Sequence, residues 1–253
     1  MGTPMAGHSK WKNIRLRKGR QDAQKGKAFT KISRDILMAA RQGGADPEAN
    51  YTLKDAIQRA RDASMPNVNI DRLLEKARGA SEADNIEEIT YEGYGPAGVA
   101  ILVETATENR NRTAADVRLM FSKNAGNMGE GGCVGWLFER RGLIQIPAKG
   151  LKEEDVMMTA LDAGALDMEV AEDAFLVYTE FTDLHQVRLT LMAAGFKIES
   201  ATLTKIAKTT TSVSAADAPA LFKLLDALED LDDVVQVYAN FDISAEVWEA
   251  LGE

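Results

Sequence analysis

Apolar positions along the first eighty residues recur at helical spacing. At about 100° per residue from Lys27, the residues Phe29, Ile32, Ile36 and Ala40 gather on one line and Lys27, Lys31, Arg34 and Arg41 on the opposite one. This predicts an amphipathic helix that ends at Gly43-Gly44, with one face to pack and the other to meet solvent or phosphate. Asp46-Pro47 reads as the N-cap and first residue of a second helix carrying Leu53, Ala56, Ile57 and Ala60. Beyond Ser64-Met65-Pro66 a third helix is expected, with Asn69 as its cap, Ile70, Leu73, Leu74 and Ala77 as its stripe and Gly79 as its stop.

The acidic stretch Ala80–Glu88 breaks this pattern, and after it the period changes. Ile89–Glu92 and Val99–Glu104 read as strands joined through Gly93-Tyr94-Gly95-Pro96. A helix is predicted from Thr113 to about Asn124, with Thr113 and Asp116 as a capping box and Val117, Met120 and Phe121 buried. Strands follow at Val134–Phe138 and Leu143–Ile146, then a helix at Glu153–Ala163 closed by Gly164. Met168–Ala171 and Ala174–Thr179 form a hairpin. A helix over Asp183–Ala194, capped by Thr182, precedes a strand at Lys197–Leu203. Ser214 opens a last helix through Leu221, Leu224, Leu225 and Leu228, and Val234–Phe241 is a final strand. Such mixed runs favour an α+β multidomain chain: an N-terminal three-helix domain, then small α+β domains with antiparallel sheets covered by helices on one face.

Charge changes the picture most. Residues 1–45 hold eleven Lys and Arg against two acids, a balance of +9, in a chain whose total is −9. Residues 46–253 therefore carry −18. This asymmetry points to a polyanionic partner for the basic part. The basic set is Lys10, Lys12, Arg15, Arg17, Lys18, Arg20, Lys25, Lys27, Lys31, Arg34 and Arg41, with Trp11 either stacking on a base or anchoring packing. Most charged runs alternate in sign and are solvated faces; this one scarcely alternates, which favours nucleic acid, DNA or RNA.

Asn109-Arg110-Asn111-Arg112-Thr113 is a second candidate. Arg110 and Arg112 stand where a helix begins and cations are disfavoured, so they either meet a phosphate or pair with acids of the body. The glycine-rich Ala125–Gly132 lacks the Lys-Ser/Thr ending of a phosphate loop and reads as a hinge. Cys133, the single cysteine, reads as a small buried residue in a reducing, cytoplasmic protein. The acid clusters Glu82–Glu92 and Glu229–Asp233 match no metal loop and read as solvated faces. His8 and His185 offer no zinc spacing, no apolar run reaches 18 residues, and neither metal, cofactor nor membrane is expected.

The segments Met5-Ala-Gly-His-Ser-Lys-Trp-Lys-Asn-Ile14, RKGRQDAQKGKAFTKISRDI from Arg17 and YEGYGPAGVAILVETATENRNRTAADVRLMFSKNAGNMGEGG from Tyr91 resemble the YebC/PmpR family of bacterial regulators and its mitochondrial translational-activator relatives. The resemblance spans essentially the whole chain from Met5. It implies three domains, the last inserted in the middle one: 5–80, 81–132 with 204–250, and 133–203. It also implies a non-enzymatic regulator of gene expression, most often a DNA-binding transcriptional regulator. The alternatives are a ribosome-associated translation factor that eases synthesis through proline runs, and a protein–protein adaptor whose basic arm docks on an acidic partner or on its own acidic body.

Overall fold

In the computed structural model, residues 23–63, 65–79, 86–171 and 173–250 are described. Helix α1, Ala23–Gly43, packs against α2, Tyr51–Asp62, and α3, Asn67–Gly79. Ile36, Ala39, Ala40, Leu53, Ala56, Ile57, Ala60, Met65 and Ile70 form their common core, and Ile32, Leu73, Leu74 and Ala77 pack around it. The apolar period therefore names Ile32, Ile36, Ala40 and the stripes of the next two helices correctly, while the Phe29 side chain lies outside the described residues, and the helix starts differ. Asn50, not Asp46, caps α2: its Oδ1 accepts from Leu53 N at 3.1 Å, while its Nδ2 donates to Ala39 O at 2.6 Å and Gly44 O at 2.8 Å. Asp46 instead closes a turn by accepting from Glu48 N. Helix α3 begins at Asn67, two residues before the expected cap Asn69, because Pro66 supplies the first carbonyl acceptor.

The first sheet has the order β3-β1-β2-β9. Strands β1, Glu87–Tyr94, and β2, Ala100–Thr107, pair antiparallel; the two-residue β3, Asn127–Met128, joins β1, and β9, Val234–Ala239, joins β2 on its other edge. Helices α4, Arg110–Lys123, and α7, Ala218–Glu229, cover one face through Val117, Phe121, Leu221, Leu224, Leu225 and Leu228. Helix α4 starts three residues before the expected Thr113, and its cap is Asn109, which accepts from Arg112 N. Thr113 Oγ1 donates instead to the Asp233 carboxylate.

The second sheet has the order β5-β6-β4-β7 and is antiparallel throughout. It is built from β4, Phe138–Pro147; β5, Asp167–Val170; β6, Ala174–Glu180; and β7, Ser200–Ala207. Its helices α5, Glu153–Asp162, and α6, Leu184–Ala193, bury Val156, Ala160, Leu184, Val187 and Leu191 against Ile144, Ile146, Phe175 and Val177. Several expectations shift here. The separate strands at Val134–Phe138 and Leu143–Ile146 are one strand preceded by a short 3-10 turn at Gly135–Leu137. Thr182 does not cap α6 but bonds to the Asp183 carboxylate. Strand β7 begins at Ser200 and continues to Ala207, past the Leu203 boundary expected from the sequence, because its last residues pair with Phe138–Arg141.

That second sheet lies, in sequence, between β3 and β9 of the first. Its β4–β7 end covers the other face of the first sheet, where Val134 and Phe138 pack on Ala100, Leu102 and Tyr238. Lys205 Nζ lies 2.5 Å from Glu104 Oε1, and the Tyr238 hydroxyl donates to Glu104 Oε2 at 3.2 Å. Near the C-terminus, β8, Thr211–Ser212, and β10, Phe241–Asp242, form a small parallel pair. Trp248 on α8, Ala245–Ala250, stacks on Phe222 and closes the core. The last strand expected over Val234–Phe241 is thus divided between β9 and β10.

Candidate nucleic-acid interface

The basic residues fall into three groups. Lys10, Trp11, Lys12, Arg15, Arg17, Lys18 and Arg20 lie outside the described residues. Lys25 and Lys27 are on the first turns of α1, where only the backbone is described. Lys31, Arg34 and Arg41 follow on the same helix and are half-buried. The face expected to meet solvent or phosphate meets, at Lys31 and Arg34, the rest of the protein.

Helix α7 ends at Glu229, where its last carbonyl groups carry the negative end of the helix dipole. The Lys31 ammonium donates to Glu229 O. One turn along α1, Arg34 Nη1 donates to Asp232 O, and its Nη2 lies 2.6 Å from Asp233 Oδ1. The i, i+3 spacing of Lys31 and Arg34 places both cations along this corner.

Asp233 is the centre of the arrangement, and only 8% of its side chain is exposed. Besides Arg34 it accepts from Thr113 Oγ1 at 2.6 Å, Thr107 Oγ1 at 3.2 Å and Arg112 Nη2 at 3.0 Å. Burial pushes this carboxyl up, but the hydrogen bonds from Thr113 and Arg112 and the charges of Arg34 and Arg112 outweigh it and hold the group below the ordinary Asp range. Thus Arg34 and Arg112, 78 positions apart and read separately from the sequence, share one carboxylate. Arg110 is exposed at the α4 start, and its carbonyl accepts from the Tyr91 hydroxyl.

The glycine-rich loop also differs from the expected hinge. Glu92 on β1 accepts from Gly132 N at 2.8 Å, Val134 N at 2.7 Å and Gly135 N at 2.6 Å. Three backbone donors facing one carboxylate make an anion cradle that the chain fills itself. Burial raises the Glu92 carboxyl, and these three amides more than reverse it, leaving it below the usual range. Cys133 is half-buried rather than buried, and burial with the nearby Glu92 charge pushes its thiol up, away from the nucleophilic form.

Asp233 and Glu92 are therefore the residues that the sequence reading missed. Each belonged to an acid cluster read as a solvated face, yet each is buried. A run such as Glu229-Asp230-Leu231-Asp232-Asp233 carries no mark of which acid turns inward. Among the described residues no group of three or more His, Cys, Asp or Glu could hold a metal ion, and no helix is long and apolar enough to cross a membrane.

The chain matches two family models, the TACO1/YebC N-terminal domain over residues 9–80 and the TACO1/YebC second and third domain over residues 86–241. A probable transcriptional regulatory protein of Anoxybacillus flavithermus is 50% identical over 242 residues, covering 95% of this chain and 99% of that one. One from Roseiflexus castenholzii is 50% identical over 250 residues, with 97% and 98% covered. The crystal structure of a conserved hypothetical protein from Aquifex aeolicus superposes with a TM-score of 0.82 at 45% identity, covering 88% of this chain and 92% of that one. With both models matched and relatives half identical over nearly their whole length, the chain belongs to the TACO1/YebC family.

Proposed function

We propose that this protein is a non-enzymatic, cytoplasmic regulator of gene expression that binds nucleic acid through its basic N-terminal part, most directly DNA in transcriptional control. The observation that carries the reading is the imbalance between +9 over residues 1–45 and −18 over the remainder. The printed names of the relatives, probable transcriptional regulatory proteins, agree with it. Lys10, Lys12, Arg15, Arg17, Lys18, Arg20, Lys25 and Lys27 supply the phosphate contacts, joined by Arg41 and the exposed Arg110. Trp11, an aromatic side chain among these cations, stacks on a base in this reading. The acidic body repels phosphate elsewhere and so orients the complex. We also take the two sheets and the helical bundle as the three domains 5–80, 81–132 with 204–250, and 133–203, with the exit of the last moved to Lys208 to keep β7 whole.

Binding of a labelled duplex measured across salt tests the reading. Log affinity is expected to fall against log salt by about 0.9 per phosphate neutralised. Lys10→Glu, Lys12→Glu and Arg15→Glu together should abolish binding while leaving the fold intact. An affinity indifferent to salt and to these changes would sink it. The adaptor reading draws on one specific observation, the seating of Lys31 and Arg34 on the body of the same chain. Sedimentation with ribosomes, before and after nuclease, separates the translation reading from the promoter one.

A further inference from the structure

Lys31 and Arg34 hold the kinds of group that a phosphodiester would offer them. Their partners are the main-chain oxygen of Glu229 at the negative end of α7, that of Asp232 in the turn that follows, and the carboxylate of Asp233. We propose that this corner is an internal substitute for nucleic-acid phosphate. In the docked form it occupies Lys31 and Arg34; a phosphate backbone competes for the same two side chains, so that binding releases α1 from the body. The inference rests on the nucleic-acid reading above and adds a regulation to it.

The exchange is physically inexpensive because neither side is left stranded. When Arg34 leaves, Asp233 retains Thr113, Thr107 and Arg112, so no unpaired carboxylate is buried. The Glu229 and Asp232 carbonyl groups turn to water. Arg34 exchanges a single close carboxylate contact for a phosphate, whose oxygens suit its planar fork in a bidentate pair. Its side chain is already 20% exposed, so an incoming anion reaches it before undocking is complete. Coupling of this kind is reciprocal: whatever factor docking subtracts from nucleic-acid affinity, nucleic acid subtracts from docking.

Two measurements on the full chain test this. Asp233→Asn removes the charge that holds Arg34 but keeps an acceptor for Thr113. It should bind a fluorescein-labelled duplex about fivefold or more tightly than the unaltered protein at the same salt, the lower end of the usual coupling range. The second measurement leaves Asp233 in place. Spin labels at Glu75→Cys on α3 and Lys223→Cys on α7, both exposed positions, in a Cys133→Ser background, should show a lengthened and broadened distance distribution when duplex is added. If duplex binds with the label distance unchanged and Asp233→Asn no tighter, the competition is overturned and the nucleic-acid reading survives. If neither protein binds duplex or RNA, both fall. Should Asp233→Asn fail to fold, the label distance alone decides.

Discussion

Asp233 receives hydrogen bonds or ion pairs from four side chains that come from α1, the end of β2 and the start of α4. Asp233→Ala takes away the acceptor shared by two hydroxyl groups and two guanidinium groups, of which Arg112 keeps contact with solvent. The cost expected from breaking a buried charged network is about 3 kcal/mol, read by urea denaturation. Its protonation has a definite sign. The folded carboxyl lies below its ordinary value, so the stability it contributes is complete above the unfolded pKa near 4 and is lost as pH falls through the folded value. Glu92, depressed by its three amide donors, acts in the same direction. Through these two carboxyls melting temperature should decline as pH falls toward about 3, whereas Asp35, Asp55 and Glu169, whose carboxyls burial pushes up, act in the opposite direction. The decline should be shallower in Asp233→Asn, which has no proton to gain there; equal acid slopes in the two proteins would contradict the assignment.

Local signals in the sequence located most elements, because apolar spacing and glycine stops act within a turn or two. Their starts were less legible. Asp46, Asn69, Thr113 and Thr182 all have the chemistry of caps, but a cap is selected by what the preceding chain does: Asn50 wins at α2 because it also ties down the end of α1. Thr113 is drawn instead to Asp233, which is 120 positions away. Glycines show the same dependence on distant neighbours. A methyl group at Gly142 on β4 would stand 2.2 Å from Thr179 Oγ1 and 2.8 Å from Leu184 Cβ, so α6 must lift from the sheet. Gly142→Ala should cost about 2 kcal/mol as an overpacked core site. Gly131→Ala, where a methyl group meets open space, should stay within about 0.5 kcal/mol of the unaltered protein in the same denaturation assay.

Charge asymmetry is a property of the whole chain, and it was fully legible; how the cations are distributed was not. Arg34 read as a phosphate contact and Arg112 as either a phosphate contact or a partner for an acid of the body, and only the return of the chain through α7 to β9 brings one carboxylate between them. Such convergence depends on a strand pairing across more than a hundred residues, which no local pattern encodes. The same topology makes a prediction about the molecule as a whole. Residues 138–207 hold every strand of the second sheet, and the Lys208 amide donates to the Leu137 carbonyl at 2.8 Å, so the chain enters and leaves this segment at one point. Replacing 138–207 by a short glycine linker should leave β1, β2, β9, α4 and α7 around their own core. The shortened protein should keep a cooperative melt, at a lower temperature, because Ala100, Leu102 and Tyr238 lose the cover of Phe138 and Ala207. Stopping the chain at Lys208 instead removes α7 and β9, and with them Leu221, Leu224, Leu225, Leu228 and Val237 of that core, so this protein should not fold. Circular dichroism melts of the two distinguish the outcomes. If the excised chain unfolds as completely as the truncated one, the first sheet is not an independent unit.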